Sequence, residues 1–321
     1  MQTLRRTAPT RSGATPFGKF LAAAVLTAAL CQEAVGQPGS GPLVLRVASS
    51  ARMLGMANAG LASTDADALF YNPALLFNAR GMAVSLQRFG SSATAGSLAN
   101  AVTLGSMNVG IGVQVLNWSA SPRSYRELMR LGTTQLSDSG GMEASSIAVT
   151  LGIARTFKGR RVAVSAKYAE DRFPNAHDGT LAFDAGIMGP SFGPGTFSMV
   201  LRNLGQGLRI GGEEGRLPTQ LGLGWGGSYN NFERFDTGYQ TQLTVDRDGF
   251  VRPAGGMEVG YVPIEGVAFI ARAGLRLPRE PDEPLATGGL GVTVDRFSLD
   301  YAIEPFRGGR PVSHRIGFRI K

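Results

Sequence analysis

Cysteine is nearly missing from this chain of 321 residues: Cys31 is the one thiol, and it borders an N-terminal apolar run. Past that point the sequence offers no disulfide. Histidine is almost as scarce, with His177 and His314 alone, so the spacing of a zinc site is missing. Charged residues make up 17% of the chain and form no run, which argues against a nucleic-acid partner. No later window holds 18 apolar residues, and a transmembrane helix is therefore not expected. What remains in plenty is glycine, 45 residues of it, set among short alternating stretches.

The first 36 residues have the layout of a secretory signal. Arg5, Arg6, Arg11 and Lys19 precede the apolar run FLAAAVLTAAL (20–30), and Ala34-Val35-Gly36 supplies small residues before a cleavage at Gln37. That run is about half of the ~20 residues a spanning helix needs, so an anchor is disfavoured. Leu30 stands where a lipobox before Cys31 wants a small residue, and the twin arginines lie far from the apolar run. Cleavage would leave 28 basic and 23 acidic residues, a net of +5. The expected division is 1–36 signal peptide, 37–80 N-terminal segment and hatch, 81–321 barrel.

Downstream, period two dominates. In SSIAVTLGIART, Ile147, Val149, Leu151 and Ile153 oppose Ser146, Ala148, Thr150 and Gly152. In RFSLDYAIEPF, Phe297, Leu299, Tyr301 and Ile303 oppose Arg296, Ser298, Asp300 and Glu304. The last stretch sets Val312, Ile316, Phe318 and Ile320 against Ser313, Arg315, Gly317 and Arg319. About fourteen such strands fit between 81–90 and 311–321, each near the roughly 9–11 residues that a tilted membrane strand requires. Short links at one end (Ser106, 158–159, 263–265, Asp295) alternate with longer ones (119–143, 171–177, 204–216, 278–285), the layout of short periplasmic turns and external loops.

The polar face mixes small residues (Gly110, Gly152, Gly222, Gly224, Gly260, Gly274, Gly317) with charges such as Lys167, Asp184, Glu258, Arg272, Arg276, Asp300 and Arg315. Such a face suits a crowded lumen better than a solvated surface. The expected fold is all-β: a transmembrane antiparallel up-and-down β-barrel of about fourteen strands, with an N-terminal helical hatch in its lumen. A barrel of this size is too wide for its own side chains to fill.

The hatch is read from TDADALFYNPALLFNARG (64–81), which places Thr64 as a cap ahead of Asp67 and ends a turn at Asn72-Pro73. With the residues before it, ARMLGMANAGLASTDADALFYNPALL resembles the N-terminal signature of the PorV/PorQ family of outer-membrane proteins. Those proteins are similar to the FadL-like long-chain fatty-acid transporter barrels, which have fourteen strands and an N-terminal hatch. FDAGIMGP, LRNLGQGL, LPTQLGLGW, ARAGLRL and LDYAIEPF…SHRIGF follow in the family's order. The family's usual paired glycines are replaced by Ala57-Asn58 and a further Gly by Leu75, and the chain ends in Phe318-Arg319-Ile320-Lys321 rather than an aromatic.

The resemblance implies a bacterial outer-membrane protein with lipid and the barrel-assembly machinery as partners, without cofactor or enzymatic activity. It also implies one of two cargoes: hydrophobic small molecules passing the hatch, or exported proteins whose C-terminal signals are bound in type IX secretion. A purely structural barrel is the third reading. In the first two, Arg52, Asp65, Asp67 and Asn72 would tie hatch to lumen wall. Alternatively, Asp65 and Asp67 cap and start a helix.

Motifs with catalytic spacing are expected to be incidental. GPSFG (189–193) has prolines on both sides of Ser191 and reads as a turn, without the helix that a nucleophile elbow needs. GLGWGG (222–227) opens no helix. His314 lies on an apolar face and His177 in a loop. Trp118, Trp225, Tyr168, Tyr239, Tyr261 and Tyr301 are expected near strand ends as an interfacial girdle, and SYRELMRL (124–131) as one amphipathic loop helix.

Overall fold

In the computed structural model, residues 39–90, 93–120, 142–173, 176–192, 195–210, 213–232 and 234–321 are described. The expected signal segment and the helix at 124–131 lie outside these residues. Alternation turns into strands over nearly all of the chain after Arg80. They are β2 (Gly81–Phe89), β3 (Ala93–Leu104), β4 (Met107–Ala120), β5 (Met142–Phe157), β6 (Arg160–Phe173), β7 (Ala176–Phe192) and β8 (Gly195–Gly205). After a break come β11 (Gln220–Phe232), β12 (Phe235–Asp246), β13 (Val251–Ile264), β14 (Val267–Arg276), β15 (Ala286–Val294), β16 (Phe297–Glu304) and β17 (Ser313–Ile320).

These fourteen strands pair antiparallel and in sequence, and β17 closes the cylinder on β2 from Ser313↔Phe89 to Ile320↔Met82. A closed barrel leaves no strand edge unpaired in lipid, where an unpaired backbone group is costly. Six links at one end leave two residues each between strands. At Lys158-Gly159 both residues have positive φ, 48° and 75°, the tight hairpin turn whose twist matches the flanking strands. Links at the opposite end run from two residues to twenty-one. The short-turn end also holds the start of β2 and the end of β17, which makes it the periplasmic end of an outer-membrane barrel.

The barrel is inverted relative to a soluble one. Along β16, Phe297, Leu299, Tyr301 and Ile303 face out, with Leu299 55% exposed, while Ser298, Asp300, Ala302 and Glu304 are buried. Arg315 has no exposed surface, and its neighbour on the outer face, Ile316, is 56% exposed. Greasy side chains thus surround the cylinder and ionic ones fill it, the arrangement that lipid outside and a plug inside demand.

The hatch is less helical than its composition suggests. It holds one short α-helix, Ala51–Gly55, and three 3-10 turns, Leu43–Arg46, Ala66–Phe70 and Pro73–Phe77. Ser50 caps the helix by accepting from the Met53 backbone N–H. Thr64 caps nothing: it is exposed, and Asp65 takes the cap position of the second turn without a side-chain bond. Asn72 starts a turn rather than ending one, accepting from the Ala74 N–H with Pro73 behind it. Ala57 and Asn58 both sit in the left-handed region, φ 59° and 62°, which accounts for glycines at these positions in the family that the sequence resembles.

Several other expectations change. The link expected at 171–177 shrinks because β6 runs to Phe173 and β7 starts at Ala176. The link at 204–216 contains two further strands, β9 (Leu208–Ile210) and β10 (Glu213–Arg216), joined in parallel by β1 (Gly39–Ser40). Gly189–Phe192, with Ser191, is the end of β7 rather than a turn. Trp118 points inward, 3% exposed and edge-on to Phe173 at 5.8 Å, so it belongs to no girdle. Trp225 does face out, between Phe197 and Tyr239 at 5.8 and 4.9 Å.

Candidate functional site

From β1 at the outer rim, the chain descends through the lumen. Leu43–Leu45 packs in the outer half against Leu116, Trp118, Ala148, Ala169 and Leu217. The helix Ala51–Gly55 lies against β14–β17, and the turns at 66–77 lie against β2–β8 in the inner half. Leu69, Phe70, Leu75 and Leu76 form a second apolar cluster there.

An irregular backbone inside a barrel needs partners for each N–H and C=O. Wall side chains supply them. Ser85 and Ser97 donate to the Ser49 carbonyl, and Arg315, itself bonded to Gln87, Ser85 and Ser97, donates to the Ala48 carbonyl. Ala57 N–H donates to Thr287 at 2.8 Å, Gln242 contacts both Leu61 N and Asn58 O, and Asn72 donates to the Met199 carbonyl at 3.4 Å. The Arg315 anchor was not singled out as a hatch contact from the sequence; the one hint was an arginine between Ser313 and Gly317 on the polar face.

The charged residues join in a closed ring. Asp65 meets Arg52 and Arg319, each at 2.7 Å. Arg319 reaches Asp300 at 2.8 Å, Asp300 meets Arg272 at 2.7 Å, and Arg272 meets Glu258 at 3.0 Å. Glu258 returns to Arg52 through a pair of hydrogen bonds. Three guanidiniums and three carboxylates therefore alternate, two of the six from the hatch and four from β13, β14, β16 and β17. Lys321 adds a contact to Asp65 at 3.2 Å. Planar arginine forks suit this geometry because each bridges two carboxylates.

Of the four residues expected to join hatch and wall, Arg52 and Asp65 lie in this ring and Asn72 bonds the β8 backbone. Asp67 has no hydrogen bond or ion pair to the wall among the described residues. It is buried beside Asp65 with a bond to Ser50. Burial, then the neighbouring Asp65 charge, pushes the Asp67 carboxyl up to about 7. Burial also raises Asp65, but Arg319, Arg52 and Lys321 outweigh it and hold that carboxyl well below its usual range.

Lumen glycines give the hatch its room. A Cβ on Gly274 would lie 2.3 Å from the Ala57 nitrogen and the Met56 carbonyl carbon. One on Gly224 would fall 2.8 Å from the Leu61 carbonyl. Facing glycines of the wall are thus contact points for hatch backbone.

At the outer rim a cleft of about 1020 Å³ opens between the upper part of β7 and the β9–β10 hairpin. A bulge makes it: Ala185↔Leu201 is followed by Phe183↔Leu204, one residue too many on β8. Asn203 in the bulge has φ 55° and is held by Lys167, Asp184 and the Pro218 carbonyl. Leu217 lines the cleft and also belongs to the apolar cluster around Leu43–Leu45.

No protein-family model and no curated protein matches the chain. Solved structures do. The toluene transporter TodX of Pseudomonas putida superposes with a TM-score of 0.53 over 90% of this chain and 98% of its own, at 11% identity. The toluene transporter TbuX of Ralstonia pickettii gives 0.53, over 89% and 99%, at 12% identity. The monoaromatic hydrocarbon channel CymD gives 0.51, over 90% and 99%, at 11%. At such identity the likeness is one of fold alone, a closed antiparallel barrel, here of fourteen strands. By their descriptions these neighbours are transporters and channels.

Proposed function

We propose that the protein is exported by cleavage of residues 1–36, inserted by the barrel-assembly machinery, and serves in the outer membrane as a hatch-controlled conduit for hydrophobic small molecules, without cofactor. One observation carries this reading. On its β3–β7 side the outer half of the lumen holds an apolar cluster, and the chain's own Leu43, Val44 and Leu45 pack into it. Withdrawal of that short segment would free a site for a hydrophobic molecule, reached from the rim cleft past Leu217. The hatch is held by apolar packing, hydrogen bonds and ion pairs rather than by covalent links. Arg52, Asp65 and Asn72 act in this reading as its ties, with Asp67 setting the charge balance beside them. The printed descriptions of TodX, TbuX and CymD support the choice of hydrophobic cargo.

Uptake of a fluorescent hydrophobic probe tests it, in cells or liposomes carrying the intact protein, a 43–80 deletion, or Leu45→Ser. Saturable uptake by the intact protein and faster uptake by the two variants is expected. A barrel that folds yet passes no probe in any form would sink the conduit reading.

A second reading is a PorV/PorQ-type component of type IX secretion that binds the C-terminal signals of exported proteins. It is favoured by the uneven links, up to twenty-one residues at the outer end against two at the inner, and by the rim sheet β1–β10–β9. Pull-down of exported proteins tests it; recovery of no cargo counts against it and leaves the conduit or a purely structural barrel.

A further inference from the structure

Three arginines border the rim cleft, Arg209, Arg216 and Arg247. Among the described residues, none of their guanidiniums has a carboxylate within ion-pair distance. That sets them apart from Arg52, Arg272 and Arg319 of the ring, each of which meets two carboxylates. Of the two acids beside them, Asp178 is spent on backbone: its carboxylate accepts from the Gly179 N–H at 2.9 Å and the Arg209 N–H at 2.6 Å. Glu214 leaves an excess of positive charge.

The lower wall of the same cleft is apolar and continuous with the lipid-facing surface. Leu181 is 56% and Phe183 50% exposed, and both line the cleft. The β8 bulge turns Leu201 and Leu204 outward beside them, since Phe183 pairs with Leu204 and Ala185 with Leu201. Cationic groups above and greasy groups below, at the outer end of a membrane barrel, match an amphiphile lying along the barrel with its anionic head uppermost. Arginine forks fit phosphate oxygens, and an interfacial site strengthens such bonds.

From this geometry we infer that the cleft binds a phosphorylated lipid of the outer leaflet, its phosphate on Arg209, Arg216 and Arg247 and its acyl chains along Leu181, Phe183, Leu201 and Leu204. The inference rests on the membrane placement of the barrel, not on hatch movement or on any transported cargo.

Native mass spectrometry of the full mature protein in neutral detergent tests it. The probes are a bisphosphorylated acyl glycolipid, the same glycolipid stripped of phosphate, and inorganic phosphate. Retention of the phosphorylated glycolipid alone is expected. The triple variant Arg209→Gln/Arg216→Gln/Arg247→Gln should weaken it by about tenfold or more, as loss of charge-assisted bonds implies. The same charge change at the inner rim, Arg160→Gln/Arg234→Gln/Arg296→Gln, should not. Arg247→Gln alone, in the turn after β12, should give a severalfold loss even if the triple variant folds poorly. Equal retention of the dephosphorylated glycolipid, equal binding of inorganic phosphate, or equal loss in the inner-rim variant would overturn the assignment. Failure of probe uptake would not touch it.

Discussion

Asp65 in the hatch and Arg319 in the last barrel strand are 2.7 Å apart, so the final strand that closes the cylinder also holds the plug. Arg319 bridges from Asp65 to Asp300, and the pair is one side of the six-membered ring that returns through Arg52. Removing one member leaves buried charges unpaired, which costs more than the ring contributes over apolar packing.

Asp65→Asn should therefore loosen the hatch by about 3–5 kcal/mol, the cost of breaking a buried pair. The barrel itself, held by its strand ladders, should keep its heat-modifiable migration on a gel. Limited proteolysis within 43–80 and conductance in planar bilayers would both rise. Arg319→Gln should do the same, and the double variant should fall short of the sum because the two residues share one network. Additive effects would show that the ring is not a unit.

Acidity should act through two carboxyls with opposite signs. Asp67, raised from 3.8 to about 7 by burial and by Asp65, holds its proton in the docked hatch more tightly than in the released one. Its favourable contribution is complete below its released value and is lost as pH climbs toward 7. Asp65, held well below 3.8 chiefly by Arg319 and Arg52 against burial, contributes above the ordinary carboxylate range and fails as pH drops below it. Leak conductance should thus be lowest in mildly acidic buffer. Asp67→Asn should abolish the rise toward neutral pH; a variant with an unchanged profile would exclude this carboxyl.

Ala57→Gly should stabilise the docked hatch by about 1 kcal/mol, since a left-handed φ penalises alanine but not glycine. Slower proteolysis near Met56–Asn58 would register it. A loss of stability would mean that the added backbone entropy outweighs the relieved strain.

Gly274→Ala places a methyl within 2.3 Å of the Ala57 nitrogen. No flexible side chain can move aside there, so the hatch must shift. Protease sensitivity of the hatch should rise while the lipid-facing wall is unaltered. An equal loss of barrel and hatch stability would assign the glycine to strand pairing instead.

Leu299→Arg puts a charge on the face that meets acyl chains, where β16 is most exposed. Insertion into bilayers should weaken by about 2–4 kcal/mol if the site lies near the midplane. Folding yields in lipid vesicles measure it. A variant that folds as readily as the parent would contradict the outward orientation of that face.

The alternation of Phe297, Leu299, Tyr301 and Ile303 with Ser298, Asp300, Ala302 and Glu304 determined by itself that these strands have one greasy and one ionic face, and the spacing of turns set their number and order. That information is local: side chains two residues apart share a face whatever lies beyond. The resemblance at 51–76 pointed to a hatch, and Arg52 and Asp65 were visible as candidate ties. Their partners were not, because Glu258, Arg272, Asp300 and Arg319 come together through the register of the β13–β17 strands, as where Glu258 faces Arg272, and not through sequence spacing. Trp118 shows the same limit: an aromatic at a strand end suits an interface or a lumen equally, and Phe173 and Leu43–Leu45 decide the matter by packing around it. The β9–β10 hairpin and the bulge at Asn203 were likewise decided by tertiary structure. Three or four residues of strand carry too little pattern to stand out, and a left-handed asparagine is stable where Lys167, Asp184 and Pro218 converge on it.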